Sequence, residues 1–199
     1  NQDDAEEYCM QKAVREGWTV IEPFDDLQVI AGQGTVGLEL LEQLPDLDTV
    51  IVPVSGGGLI SGIALALKAN RPDIKIIGVS MDGSPVMYHS VREGKPVVME
   101  EVDTLADSLL GGIGKKNRYT FNIVKKHVDE LVLVPEKAIA RAMAELFKEH
   151  RFAVEGAAAT GLAALCEHSL IEPGQKAVIL ATGNSIAAVD FSRVVAPYL

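Results

Sequence analysis

The residues best suited to chemistry in this sequence are a serine and three glycines, Ser55-Gly56-Gly57-Gly58. Three successive glycines remove every Cβ from the turn, so backbone N–H groups can converge on an anion and φ can become positive. The apolar segment that begins at Leu59 is predicted to be a helix, whose unpaired N–H groups and dipole add to the same attraction. The Ser55 hydroxyl can donate a further hydrogen bond. This pattern predicts a site for a phosphate-bearing ligand.

A short strand is predicted immediately before this turn. Val50-Ile51-Val52 is an uninterrupted β-branched run, which is typical of a strand buried on both faces of a parallel sheet. Open α/β sheets bind ligands beyond the carboxyl ends of such strands. The alternative interpretation is a tight turn whose glycines serve packing alone. The spacing differs from the dinucleotide motif G-x-G-x-x-G, and no lysine of a nucleotide-binding phosphate loop follows.

The rest of the sequence alternates predicted helices and strands. Helices are expected in a first segment that ends at Gly17 and at residues 36–44, 59–69, 84–92, 117–127, 135–150 and 155–168. Strands are expected at residues 18–21, 49–53, 74–79, 131–134 and 177–180. Such alternation predicts an α/β fold with a mainly parallel sheet and helices on both faces. No repeat or linker is visible, so residues 1–199 are expected to form a single domain.

Composition restricts the classes of function. Hydrophobic residues make up 48% of the 199 positions, an ordinary globular value, and no apolar run is long enough to span a bilayer. The formal net charge of −10 disfavours a nucleic-acid surface, which needs clustered Lys and Arg. The chain begins at Asn1 without a basic and apolar leader, so we expect no secretory signal, a cytoplasmic location and a start inside a longer protein.

Four segments resemble, in order, motifs of one enzyme family, the fold-type II serine/threonine dehydratases and serine racemases that use pyridoxal phosphate. They are residues 23–26 with 29–35, similar to "PFDD…VIAGQGT"; residues 53–64, similar to the phosphate loop; residues 104–108, similar to "T-x-A-D-G"; and residues 154–159, similar to the "EG/EP-A-G-A" helix start. The resemblance extends over roughly residues 1–190. It implies the C-terminal part of a pyridoxal-phosphate-binding catalytic domain, incomplete at its N-terminus.

The resemblance implies that pyridoxal 5'-phosphate is the cofactor. Its phosphate is expected at Ser55, Gly56, Gly57, Gly58 and Leu59. Many relatives also place a serine hydroxyl at the pyridine nitrogen, after the last strand. A gap-free match puts Ala181 there, whereas D-serine dehydratases have "A-T-G" with threonine in the role, so we assign the partner to Thr182, followed by Gly183. The alternative role for Thr182 is the N-cap of a helix that begins near Asn184.

Three further residues are implied near the cofactor. Glu155 lies near the ring in relatives, and its alternative role is that of an acid favoured by the dipole at a helix start. Ser108 and Gly111 match positions where relatives approach the cofactor and substrate. Relatives with a divalent metal have Glu-Pro after the strand ending near Val79. Asp82 alone does not replace that pair, so no metal site is expected.

The lysine that attaches the cofactor lies, in this family, in an S-x-K-x-R-G-like motif well before the glycine loop. None of the lysines here has that context, including Lys12, Lys68, Lys115, Lys116 and Lys176. An S-S-G-N-H-like loop for the substrate carboxylate is also absent from this sequence. We therefore assign no catalytic residue to this chain and expect it to be inactive alone.

The family also implies that the first strands of the large domain, and the small domain, precede residue 1. This chain is therefore expected to carry part of the sheet only and to expose an apolar face. That face is expected around Leu59, Ile60, Ile63 and Leu67.

The activity implied by the resemblance is that of an ammonia-lyase (dehydratase), which converts a hydroxy-amino acid such as threonine or serine into a 2-oxo acid and ammonia. Residues 108–121 resemble a branch assigned to hydroxyectoine utilisation or generic threonine dehydration. The open alternatives are a racemase, a cysteine synthase-like β-replacement enzyme or β-lyase, a non-catalytic phosphate-ligand-binding domain, and a purely structural domain. The full-length enzyme is expected to bind a small amino-acid substrate and to have no nucleic-acid or membrane partner. It is expected to be a homo-oligomer, namely a dimer.

Overall fold

The sheet consists of short apolar strands. The computed structural model describes residues 2–114 and 116–199, so Asn1 and Lys115 lie outside it. Four strands are present in this part of the chain, namely β1 (Thr49–Pro53), β2 (Lys75–Met81), β3 (Glu130–Val134) and β4 (Ala177–Ile179). All pair in parallel, in the order β3-β2-β1-β4. Every residue of β1 is buried, as its uninterrupted apolar run predicts.

Helices connect and cover the strands. In the described residues they are α1 (Gln2–Glu16), α2 (Leu27–Gln43), α3 (Gly58–Asn70), α4 (Val86–Glu93), α5 (Thr120–His127), α6 (Glu136–His150), α7 (Gly156–Glu167) and α8 (Ala188–Val195). Two 3₁₀ turns are also present, Asp107–Leu109 and Ala196–Tyr198. The predicted α/β fold with a parallel sheet is confirmed.

The sheet has a hydrophobic core on each face. On one face, α6, α7 and α8 pack against side chains that include Ile51 and Ile77. On the other, α2, α3 and α5 pack against Val50, Val52 and Ile76. Val50 and Ile51 are neighbours on β1, yet they enter different cores because successive side chains of a strand point to opposite faces. The prediction of helices on both faces is confirmed.

The expectation of an exposed apolar face on α3 is wrong. Three of the four residues named for it are fully buried, namely Ile60, Ile63 and Leu67, and Leu59 is half-buried. Helix α2 covers them. Its close approach depends on Gly62, because a Cβ there would lie 2.3 Å from the carbonyl oxygen of Ile30. These residues of α3 are therefore packed within the chain itself.

The predicted strand at residues 18–21 is also wrong. The segment is irregular and belongs to none of the described strands. Trp18 and Ile21 are 59% and 78% exposed. A β-branched run becomes a strand only where a neighbouring backbone supplies its hydrogen bonds, and this segment is not placed beside one.

Helix α2 begins at Leu27, nine residues before Val36, the first residue of its predicted apolar face. The reason is a cap at Asp26. Its Oδ1 accepts hydrogen bonds from the N–H groups of Gln28 at 2.8 Å and Val29 at 3.2 Å. These bonds satisfy N–H groups that have no partner within the helix.

Candidate functional site

The candidate site lies where β1 and β4 end. The glycine turn follows β1 after Pro53, and the irregular segment 180–187 follows β4. The two strands are parallel, with Ile51 opposite Ile179, so both connections leave from the same edge of the sheet. Open α/β sheets bind ligands at this edge.

A cavity of about 420 Å³ opens there. It is lined by eight of the predicted cofactor-binding residues, namely Ser55, Gly56, Gly57, Gly58, Leu59, Ser108, Glu155 and Thr182. They come from four separate segments of the chain, which only the folded structure brings together. The volume lies within the range of about 300–1,000 Å³ that is usual for small-ligand pockets.

The other residues of the cavity wall are mostly apolar, and sequence reasoning did not assign them to the site. They are Pro23, Phe24, Pro53, Ile60, Leu109, Leu110 and Ala157. Phe24 had a usable signal, because it belongs to the family-like stretch at residues 23–26. An apolar wall of this kind excludes water and leaves a few polar groups to orient a ligand.

Gly183 and Gly111 lie outside the lining of the cavity. Gly183 contacts Glu155 directly, since its carbonyl oxygen accepts the Glu155 N–H at 3.2 Å. Gly111 is buried and has a φ of +110°, a left-handed conformation that favours glycine and turns the chain. A contact between Gly111 and the cofactor stays a prediction.

Each glycine of the turn meets a geometric requirement. Gly57 occupies the N-cap position of α3 with φ of +89° and ψ of 1°. A Cβ at Gly56 would lie 2.4 Å from Cδ1 of Phe24, and one at Gly58 would lie 3.0 Å from its Cα. Packing therefore requires these glycines, and the alternative interpretation, that they serve packing alone, stays untested. The same turn also lines the cavity, so packing and ligand binding are compatible.

The turn presents the N-terminus of α3 to the cavity. The first N–H groups of a helix have no partner within it, and no side chain caps this helix. A left-handed residue beside such groups makes a concave arrangement of amides that suits an anion. Among the described lining residues, Glu155 is the one charged side chain. The turn therefore fits a phosphate, which would be bound by backbone amides, the Ser55 hydroxyl and the helix dipole. No cationic side chain of the described lining would take part.

Glu155 is the buried acid of the cavity, with 7% of its surface exposed. It occupies the N-cap position of α7, but its carboxylate makes no capping hydrogen bond to that helix. Oε1 accepts a hydrogen bond of 3.1 Å from the Ser108 hydroxyl, and Oε2 accepts one of 2.9 Å from the Ser185 N–H. The carboxylate therefore joins two segments at the cavity and does not act as a helix cap.

Thr182 lines the cavity, and Ala181 is not among the described lining residues. The alternative role for Thr182 as a helix N-cap is wrong, because α8 begins at Ala188 with Ala187 in the cap position. The Thr182 hydroxyl therefore does not cap a helix. The bond to the pyridine nitrogen stays a prediction.

The segment that carries Ser108 is held by the first residues of two helices. Glu136, which begins α6, accepts hydrogen bonds from the Thr104 hydroxyl and from the Leu105 N–H, the latter at 2.7 Å. Gly156, which begins α7, permits close approach, because a Cβ there would lie 2.0 Å from the carbonyl oxygen of Leu105. Both contacts fix the backbone a few residues before Ser108.

A second cavity, of about 290 Å³, lies between α4, α5 and β3 and contains no predicted site residue. Its lining is Tyr88, Val91, Arg92, Val124, Val128, Asp129, Glu130 and Leu131.

Within residues 2–114 and 116–199, no group of three or more His, Cys, Asp or Glu side chains is arranged to hold a metal ion. No helix in that part of the chain has both the length and the apolar character needed to cross a bilayer.

Known proteins share this sequence pattern. A family model described as "Pyridoxal-phosphate dependent enzyme" matches residues 1–183. The L-threonine ammonia-lyase of Thermotoga maritima is 41% identical over 193 residues, which are 97% of this chain and 47% of that protein. The chain spans about half the length of the curated relatives it matches.

Two solved structures are similar in fold over nearly the whole chain. The processed form of threonine deaminase isoform 2 from Solanum lycopersicum has a TM-score of 0.89 and 35% identity, covering 98% of this chain and 54% of that one. Maize serine racemase has a TM-score of 0.85 and 35% identity, covering 96% of this chain and 59% of that one.

Proposed function

This chain belongs to the family of pyridoxal-phosphate-dependent enzymes, and we propose that it is the C-terminal part of the catalytic domain of an ammonia-lyase (dehydratase). The proposed reaction converts a hydroxy-amino acid such as threonine or serine into a 2-oxo acid and ammonia. The observation that carries the proposal is the cavity at which the glycine turn, Ser108, Glu155 and Thr182 meet. The relatives named L-threonine ammonia-lyase and threonine deaminase support this choice of reaction.

In this proposal, two groups of residues hold the cofactor. Its phosphate is bound by the turn and the N-terminus of α3, at Ser55, Gly56, Gly57, Gly58 and Leu59. Its ring and the amino-acid substrate would lie beside Ser108, Glu155 and Thr182, with Gly111 and Gly183 behind the cavity lining. When bound, pyridoxal phosphate supplies an electron sink for the negative charge that develops on the α-carbon of an amino acid.

The side chains of this chain orient and shield the reacting groups. Thr182 offers a neutral hydroxyl for the pyridine nitrogen, which leaves that nitrogen without the proton that an acidic partner would favour. Glu155 is kept in place at the cavity by the Ser108 hydroxyl and the Ser185 N–H. Phe24 and Leu109 contribute apolar surface to the wall of the cavity. No catalytic residue is assigned to this chain.

The test compares the intact enzyme with residues 1–199 alone. The intact enzyme is expected to form 2-oxobutanoate from threonine or pyruvate from serine, and to show the visible absorbance of a lysine-bound cofactor. The isolated chain is expected to form neither product, because none of its lysines has the required context. Product formation by the isolated chain, at rates above free pyridoxal phosphate, would contradict this assignment.

A racemase is the second candidate, because maize serine racemase matches this chain with the same 35% identity as the threonine deaminase. Chiral chromatography of serine incubated with the intact enzyme separates the two reactions. Interconversion of L-serine and D-serine without pyruvate would favour the racemase. An intact protein that binds phosphate ligands but has no visible cofactor band would favour the non-catalytic alternative.

We further propose that residues 1–199 form part of one domain that is incomplete at its N-terminus. The four described strands belong to one sheet, and the chain spans about half the length of its relatives.

The dimer and the cytoplasmic location stay predictions. Sedimentation of the intact enzyme tests the dimer.

A further inference from the structure

Asp25 binds the start of a helix that is distant in sequence. Its Oδ2 accepts a hydrogen bond of 2.6 Å from the Arg118 N–H, and its Oδ1 accepts bonds of 2.9 Å from the N–H groups of Tyr119 and Thr120. The three donors are consecutive and lie at the N-terminus of α5. A carboxylate at this position satisfies unpaired amides and faces the positive end of the helix dipole.

The residue before Asp25 forms one wall of the glycine turn. The ring of Phe24 lies against Gly56, where a Cβ would be 2.4 Å from Cδ1. The backbone of Phe24 lies against Gly58, where a Cβ would be 3.0 Å from Cα and 3.2 Å from the carbonyl oxygen. Phe24 therefore packs against both Gly56 and Gly58.

Helix α5 supplies a second wall. A Cβ at Gly57 would lie 3.2 Å from Cβ of Thr120 and 3.3 Å from Cγ2 of Val124. Thr120 is fully buried and is also a hydrogen-bond partner of Asp25. The turn is thus enclosed by Phe24 and by α5, and Asp25 connects these two walls.

We propose that Asp25 is a positioning residue for the phosphate of the cofactor. It fixes the distance between Phe24 and α5, and thereby the shape of the amide turn at residues 56–58. The inference rests on the proposed function, because it assumes that pyridoxal phosphate binds at this turn. Asp25 is not among the residues that line the cavity, so its effect on the ligand is indirect.

The adjacent Asp26 provides a matched control. It is also a helix-capping acid, but it binds Gln28 and Val29 of its own helix, α2, and not α5. Asp25→Ala and Asp26→Ala each remove a capping carboxylate, so both are expected to lower stability by a similar amount. Only the first is expected to loosen the turn.

The experiment titrates the apo form of the intact enzyme with pyridoxal phosphate and with pyridoxal, which lacks the phosphate. Asp25→Ala is expected to raise the Kd for pyridoxal phosphate about tenfold and that for pyridoxal less than about twofold. Asp25→Asn keeps the shape and the two bonds to Oδ1, so an intermediate effect is expected. Asp26→Ala is expected to leave both constants unchanged.

Hydrogen exchange of the cofactor-free intact protein gives a readout that does not depend on ligand. Both Asp25 variants are expected to speed exchange at Ser61, whose N–H donates to the carbonyl oxygen of Gly57 in the turn, and at Arg118, and Asp26→Ala at residues 28–29 only. Unchanged exchange at Ser61 in the Asp25 variants, or equal weakening of pyridoxal and pyridoxal phosphate, would overturn the inference. A wild-type enzyme that binds no pyridoxal phosphate would instead overturn the proposed function.

Discussion

The Ser108 hydroxyl donates a hydrogen bond of 3.1 Å to Oε1 of Glu155, although 47 positions separate them in sequence. The other carboxylate oxygen accepts the N–H of Ser185 at 2.9 Å. Glu155 thereby connects the 3₁₀ turn Asp107–Leu109 to the segment after β4, and both segments contribute residues to the lining of the cavity. Hydrogen bonds to a charged acceptor contribute about 1.5–3 kcal/mol each, and less where water has access.

A double-mutant cycle measures this contact. Ser108→Ala and Glu155→Ala are expected to couple by about 1 kcal/mol in urea unfolding of the intact enzyme, because each removes one partner of the same bond. Ser185→Ala is the control. Ser185 donates through its backbone, so its side chain can be removed without breaking the bond, and coupling with Glu155→Ala is expected to be close to zero. Equal coupling of both serines would mean that the bonds differ from those described.

Thr182 is expected to matter through its hydroxyl. Thr182→Val keeps the shape and removes the hydrogen bond, which is expected to cost about 1 kcal/mol in transition-state stabilisation, or roughly fivefold in turnover. The absorbance spectrum of the bound cofactor is expected to change as well, while Thr182→Ser restores both properties. Unchanged kinetics and spectrum in Thr182→Val would indicate that another group, such as the Ala181 backbone or Asn184, lies at the pyridine nitrogen.

Glu136 is expected to influence activity from outside the cavity. It holds Thr104 and Leu105, a few residues before Ser108. Glu136→Ala removes the acceptor of both bonds, so we expect a loss of about 1–3 kcal/mol in the free energy of unfolding and a lower kcat. Glu145→Ala, at an exposed position on the same helix, is the control and is expected to change neither. A drop in stability without any change in kcat or KM would limit Glu136 to a structural role.

Gly57 is expected to be far less tolerant of alanine than Gly17, although both have positive φ, +89° and +69°. At Gly17 nothing lies within 4 Å of an added Cβ, so Gly17→Ala is expected to cost about 1–2 kcal/mol from backbone strain alone. At Gly57 the added Cβ would also lie 3.2 Å from Cβ of Thr120 and 3.3 Å from Cγ2 of Val124, which are buried β-branched side chains, and this adds about 1 kcal/mol from overpacking. Thermal melting of the two variants of the intact enzyme checks this order. Gly57→Ala is also expected to weaken binding of pyridoxal phosphate, and equal cofactor affinity in both variants would contradict the role given to the turn.

Much of the fold could be predicted from short-range pattern. The buried strand β1 and the helix that follows Gly57 were expected within one or two residues of their observed bounds. Local pattern failed at Trp18 and Ile21, whose apolar character predicted a strand that lacks a neighbouring backbone. It failed again at Asp26, where a capping acid starts α2 well before the apolar stripe becomes regular.

The sequence by itself determined the parallel sheet, the glycine turn at the end of β1 and the family. Contiguous apolar runs and glycine spacing are local patterns, each of which extends over only a few residues. Tertiary structure alone decided which contacts hold the walls of the cavity in place. Asp25 binds backbone groups 93 to 95 positions away, and Glu136 binds Leu105 at 31 positions. Such pairs depend on how packed helices place their N-termini, and helix or strand periodicity contains no information about that placement.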